Sequence, residues 1–264
     1  MRGGAVQRLT YTHAVTSAIL VTARNVFTHT AVPVHGAAGP LTRIAGLTLF
    51  QRSLLTLQRC GLSQVFVLAG DEAETLRAVL ADGPPVTLGI RWIPVREFPP
   101  EDPRTWETLT ADASGACVVV GPQAAFSRGL IETLRGMGQV DDLVVVLRGK
   151  TDGLRKASPH DRGGQRKHEY LVRLAETVRP NVASGQGGAC AASEVVLIPA
   201  GGFVKGSPLA DLLLTRGRED QAGETPMARL VEAAAAEGRV SVVEAHTDTP
   251  AWACEVHDAG DAEQ

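Results

Sequence analysis

The stretch GPLTRIAGLTLFQRSLLTLQRCGLSQVFVLAG, residues 39–70, decides the fold, because a turn, a helix and a strand can be read from it in order. Ile44, Ala45 and Gly46 close a short extended piece. Leu47, Phe50, Leu54 and Leu57 recur at helical spacing, which predicts a helix over residues 47–57. Gly61 stands where a left-handed C-terminal cap belongs. Residues 65–69 form an apolar run of strand length bounded by Gly61 and Gly70, and a second helical pattern over 72–80 follows. Helix, buried strand, helix is the rhythm of a parallel α/β sheet, whose strands are covered on both faces and therefore read as continuous apolar runs.

Working outward, the run before this stretch predicts a first strand over residues 17–22, preceded by a leader over residues 1–13. Towards the C-terminus, strands are expected over 86–94, 116–120, 142–147, 169–175, 194–199 and 241–245. Short helices are expected over 106–112, around Leu130 and Leu134 with Phe126 on their buried face, and over 208–214 and 225–237. Residues 96–106 are rich in proline and charge and read as a surface loop, with Glu97, Glu101 and Asp102 solvated. The segment 148–168 is glycine-rich and strongly basic and holds Lys150, Lys156 and Lys167, three of the four lysines. It reads either as a solvated insertion or as an anion-binding flap. The whole predicts one domain over residues 14–264.

A chain of 264 residues with 44% hydrophobic and 21% charged residues has the composition of a folded globular domain. A net charge of −3 gives no footing for nucleic acid or an anionic membrane as the principal partner. Cys60, Cys117, Cys190 and Cys254 are scattered without a C-x-x-C pair, so neither a zinc site nor a disulfide framework is indicated, and a reducing cytoplasm is the expected location. The apolar run over 14–23 is broken by Thr16, Ser17 and Thr22 and is too short to span a bilayer.

The order P-L-x-x-I-x-G-x-x-L-x-x-R-x-L-x-x-L-x-x-x-G-x-x-x-V-x-V-x-x-G in residues 40–70 resembles the start of sugar-phosphate nucleotidyltransferases, and is most similar to the inositol-phosphate cytidylyltransferase type. The resemblance continues through V-V-L-I-P-A-G-G-F, residues 195–203, which is similar to the acceptor-side strand and loop, to W-A-C-E-V-H-D-A-G-D-A-E, residues 252–263, which is similar to the closing metal segment. It implies a three-layer, Rossmann-like (GT-A-like) α/β fold with a mixed, mostly parallel sheet, and a cleft at the carboxyl ends of the strands ending at Val21, Ala69 and Val120. It further implies nucleotide contacts from Thr22, Ala23, Arg24, Gly39, Gly70 and Gly121, phosphate neutralisation by Arg24 and Arg43, and magnesium held by Glu255 and Asp258.

The sequence departs from the family at three chemical positions. After the first strand the family has a glycine-rich loop, L-A-A-G-x-G-x-R, that wraps a triphosphate with backbone N–H groups. Here residues 22–28 contain no glycine, and Val26 and Phe27 disfavour the left-handed backbone such a loop uses. Gly39 stands where the family has a lysine. The G-D pair that ends the fourth strand of the family pattern is here Gly121-Pro122, followed by Gln123, so the carboxylate that holds the metal is replaced.

Two functions are therefore expected from the resemblance. In the first, a sugar or polyol phosphate attacks the α-phosphorus of a nucleoside triphosphate, CTP by the closest similarity, and displaces pyrophosphate. In the second, a catalytically degenerate nucleotidyltransferase scaffold serves as a binding or regulatory partner. In bifunctional relatives a membrane-embedded CDP-alcohol phosphotransferase follows the closing segment, which makes such an enzyme an expected partner, with no membrane insertion by this chain itself. His246 and His257 are the histidines near the C-terminus, and neither is identifiable as a general base.

Overall fold

A computed structural model of the protein describes residues 15–23, 39–100, 102–113, 115–138, 141–148, 191–200, 202–203, 207–216, 226–245 and 250–255. The leader, Arg24, Asp258, His246, His257, the strand expected over 169–175 and all but the first residue of the basic segment lie outside the described residues.

The centre is a seven-stranded sheet. Its members are β1 (Ser17–Val21), β4 (Gln64–Ala69), β5 (Gly89–Pro94), β6 (Cys117–Val120), β8 (Leu143–Arg148), β9 (Ala191–Ile198) and β10 (Val240–Ala245), in the order β10-β8-β9-β6-β1-β4-β5. β9 runs antiparallel to both its neighbours, and every other pairing is parallel. Alternate side chains enter two separate cores. Ile19, Val21, Phe66, Leu68, Cys117 and Val119 face one, whereas Ala18, Leu20, Val65, Val67, Val118 and Val120 face the other. The first is covered by α3 (Pro103–Asp112) through Trp106 and Leu109, α5 (Pro208–Arg216) through Leu209 and Leu212, and α6 (Pro226–Ala236) through Met227, Leu230 and Val231. The second is covered by α1 (Leu49–Arg59) through Leu54 and Leu57, α2 (Ala73–Ala81) through Leu76, and α4 (Arg128–Gly136) through Leu130, Ile131 and Leu134. Helix, sheet and helix make the three layers. Burial on both faces is why all five residues of β1 are inside, including Ser17.

Three local differences from the expected elements have physical causes. α1 begins at Leu49 because Thr48 caps it: the Thr48 hydroxyl accepts the Gln51 N–H and the Gln51 side chain accepts the Thr48 N–H, a capping box. Leu47 and Thr48 instead form β3 (Leu47–Thr48), hairpinned to β2 (Arg43–Ile44). α3 starts three residues earlier than expected because Asp102, read as solvated, accepts the Arg104 N–H at 2.9 Å and Pro103 takes the first helical position, where its missing N–H costs nothing. Phe126 lies in β7 (Ala124–Phe126) and not on a helix, because Ser127 caps α4. At the other end of α1, Gly61 adopts φ +76° and closes the helix as expected.

No helix among the described residues is long and apolar enough to cross a membrane.

Candidate nucleotide rim at the carboxyl ends of the strands

The chain leaves β1 for β4 and β5 on one side and then crosses back to lay β6 on the other side of β1. Strand order reverses at β1, and in open α/β sheets the crevice at such a reversal, outside the carboxyl ends, is where ligands bind. The register sets what stands there. Val21 lies opposite Leu68, and Leu20 lies between Val67 of β4 and Val120 of β6. The residues that follow, Thr22 and Ala23 after β1, Gly70 after β4 and Gly121 after β6, therefore share one rim. Four of the expected nucleotide-binding residues are thus brought together.

One carboxylate that the sequence reading passed over organises this rim. Oε1 of Glu72 accepts the Thr22 hydroxyl at 2.8 Å and the Gly70 N–H at 3.0 Å, tying the ends of β1 and β4. The Thr22 N–H continues the ladder to the Leu68 carbonyl at 3.0 Å. A Cβ on Gly70 would lie 3.0 Å from Oε2 of Glu72 and 3.4 Å from the Ala23 Cβ, so the glycine makes room for the knot. The only sequence signal was position: an acid at the entry to a helix after a strand and Gly70.

The hairpin carrying Arg43 approaches the same end. α1 runs back along the sheet from the carboxyl end of β1, so its N-terminus, and the hairpin joined to it, lie on the rim side. Ala45 and Gly46 both have positive φ, +46° and +84°, the geometry of a two-residue turn of the I′ class. Arg52 fastens the hairpin by donating from Nε to the Ile44 carbonyl at 2.9 Å. Ile44 of the hairpin and Ala125 of β7 both pack on Leu49. Arg43 itself is exposed and donates to the Gly46 carbonyl at 3.4 Å, which leaves guanidinium donors facing solvent. The Gly39 N–H donates to the Thr42 hydroxyl at 2.9 Å and its carbonyl takes the Thr42 N–H at 2.9 Å, closing the turn before the hairpin.

β11 (Ala253–Glu255) pairs antiparallel with β7, with Glu255 opposite Ala124, three residues beyond Gly121. The backbone of Glu255 is thereby brought to the β6 side of the rim; its side chain is not described. Among the described residues, no three His, Cys, Asp or Glu side chains come together as a metal site, and the positions after Gly121 carry Pro122 and Gln123. The described residues thus do not by themselves fit a magnesium ion.

No family profile matches this chain, and no curated protein sequence matches it. Solved structures do. An inositol-1-phosphate CTP transferase from T. maritima aligns at a TM-score of 0.55 and 11% identity, over 94% of this chain and 91% of that one. HddC from Yersinia pseudotuberculosis aligns at 0.56 and 14%, over 94% and 97%. A Bacillus anthracis protein assigned as a glucose-1-phosphate thymidylyltransferase, in complex with sucrose, aligns at 0.54 and 12%, over 90% and 89%. The chain therefore has the fold of these proteins along nearly its whole length.

Proposed function

We propose that the protein binds a nucleoside triphosphate across this rim and transfers its nucleotidyl group to a sugar or polyol phosphate. The observation that carries the reading is the convergence of Thr22, Ala23, Gly70 and Gly121 at the strand-order reversal, with the Arg43 hairpin and the Glu255 backbone both joined to β7 beside it. In the reaction an oxygen of the acceptor phosphate bonds to the α-phosphorus, the bond from that phosphorus to the bridging oxygen breaks, and pyrophosphate leaves. Such a transfer asks the protein for in-line positioning and charge neutralisation more than for proton transfer. Arg24 and Arg43 are assigned to the phosphates, and Thr22, Ala23, Gly39, Gly70 and Gly121 to the nucleotide. CTP is the first nucleotide to try, on the sequence resemblance.

Glu255 and Asp258 are the residues that would hold a magnesium ion, which would supply charge neutralisation for the phosphates. A CDP-alcohol phosphotransferase is the partner that would consume a CDP-linked product, and it enters on the sequence resemblance alone.

A second reading, a binding scaffold without turnover, is favoured by one observation. The Thr22 hydroxyl and the Gly70 N–H, donors that a phosphate would use, are taken by the Glu72 carboxylate, whose negative charge opposes a triphosphate. The test is pyrophosphate release with CTP, UTP, GTP, ATP and dTTP against inositol and sugar phosphates. Turnover that Arg43→Ala abolishes supports the transferase. Absence of both pyrophosphate release and saturable binding of any of the five nucleotides supports the scaffold.

A further inference from the structure

Ser127 lies between β7 and α4 and commits its whole hydroxyl to two elements at once. Oγ accepts the Leu130 N–H at 3.1 Å, capping α4, and accepts the Trp252 N–H at 2.9 Å. It donates to the Pro250 carbonyl at 2.7 Å. The Ser127 N–H donates to the Trp252 carbonyl at 2.9 Å. One donor and two acceptors are the full capacity of a hydroxyl, so alanine at this position would satisfy none of the three.

Two residues on, the C-terminal segment passes so close to Gly129 that a Cβ there would meet the Pro250 carbonyl oxygen at 2.3 Å, its carbon at 2.7 Å and the Ala251 nitrogen at 3.3 Å. These are backbone atoms and cannot rotate aside. Together the two residues fix one register, with Ala253 opposite Phe126, Cys254 opposite Ala125 and Glu255 opposite Ala124. A slip of one residue would put Cys254 or Val256 opposite Ala124 and turn every side chain of the strand to the other face. A strand of three residues has too few ladder bonds to hold its register unaided.

We infer that Ser127 and Gly129 are positioning residues that lock β11 against β7 and so deliver Glu255 to the nucleotide rim. The inference rests on the nucleotide-binding reading. Neither residue touches the nucleotide in this account; both act through the docked strand.

The test follows amide exchange in residues 124–126 and 253–255 together with the affinity for whichever of CTP, UTP, GTP, ATP or dTTP binds the wild type best. Gly129→Ala and Ser127→Ala are expected to lose the strand's protection and to weaken nucleotide binding about tenfold, because the β6 side of the rim loses the strand docked beside it. Ser127→Thr, which keeps the hydroxyl, is expected to restore both. Gly129→Ala leaves the α4 cap intact, so agreement with Ser127→Ala assigns the effect to the strand. The double variant Ser127→Ala/Gly129→Ala is expected to bind no more weakly than the poorer single, because both act through the one docked strand. Undiminished affinity with the strand released overturns the positioning role and leaves the nucleotide reading standing. Retained protection in Gly129→Ala overturns the lock itself. A wild type that binds none of the five nucleotides overturns the nucleotide reading and the positioning role with it.

Discussion

Removing the Glu72 carboxylate separates the two strand ends on which the candidate site depends. In Glu72→Ala, the Gly70 N–H loses an acceptor at 3.0 Å and the Thr22 hydroxyl loses one at 2.8 Å. The losses differ. The Thr22 hydroxyl has the Leu68 carbonyl at 3.3 Å to turn to, whereas the Gly70 N–H has no second protein acceptor among its described hydrogen bonds. Hydrogen bonds to charged groups contribute about 1.5–3 kcal/mol and neutral ones about 1 kcal/mol. Half-burial of Glu72 and Gly70 argues for the lower end, so the sum is about 2 kcal/mol, or about 4 °C in Tm for a domain of this length. Glu72→Gln keeps an oxygen acceptor in the same place and should lose about half of that. The assay is urea unfolding of the three proteins with amide exchange at Gly70. An alanine variant within about 0.5 kcal/mol of wild type, with the Gly70 amide still protected, would refute the view that this carboxylate holds the rim.

Other outcomes follow from single positions. Ala45 holds φ +46° in the hairpin turn, so Ala45→Asn should stabilise the protein by about 0.5–1 kcal/mol in chemical unfolding, since asparagine tolerates this conformation better. Leu54 is fully buried against the sheet, and Leu54→Ala should cost about 3–4 kcal/mol in the same assay. Burial pushes the Cys117 thiol up to about 12, from an ordinary value of 9.0. The folded chain thus holds that proton more tightly than the unfolded chain, so the contribution is whole below pH 9 and is lost as pH rises towards 12. Stability should fall by about 1.4 kcal/mol per pH unit across that window from this group, and Cys117→Ala should flatten the slope by that amount.

Much of the fold was legible because burial on two faces leaves a plain mark. The apolar runs at residues 17–22, 65–69 and 116–120 correspond to β1, β4 and β6, the three strands whose ends make the rim. What was not legible depends on partners remote in sequence. β7 and β11 have three residues each and no periodicity of their own; they exist because residues 250–255 return to lie along residues 124–127. Phe126 fits a helical face by spacing, and only the Ser127 cap assigns it to the strand. Leu47 fits the α1 spacing equally well, but the Thr48 capping box starts the helix two residues later. The site was legible only in part. Gly70, Gly121, Thr22 and Ala23 follow from knowing where parallel strands end. Glu72 does not, because an acid at the N-cap of a helix is ordinary chemistry until its neighbours across the rim are known.

The most direct measurement is amide hydrogen exchange of the wild-type protein with and without each of the five nucleoside triphosphates, in the presence and absence of magnesium. Nucleotide binding at the proposed site predicts new protection at residues 20–23, 69–70 and 121–124 with one of them. Protection confined to other segments, or none at saturating concentrations of all five, would contradict it.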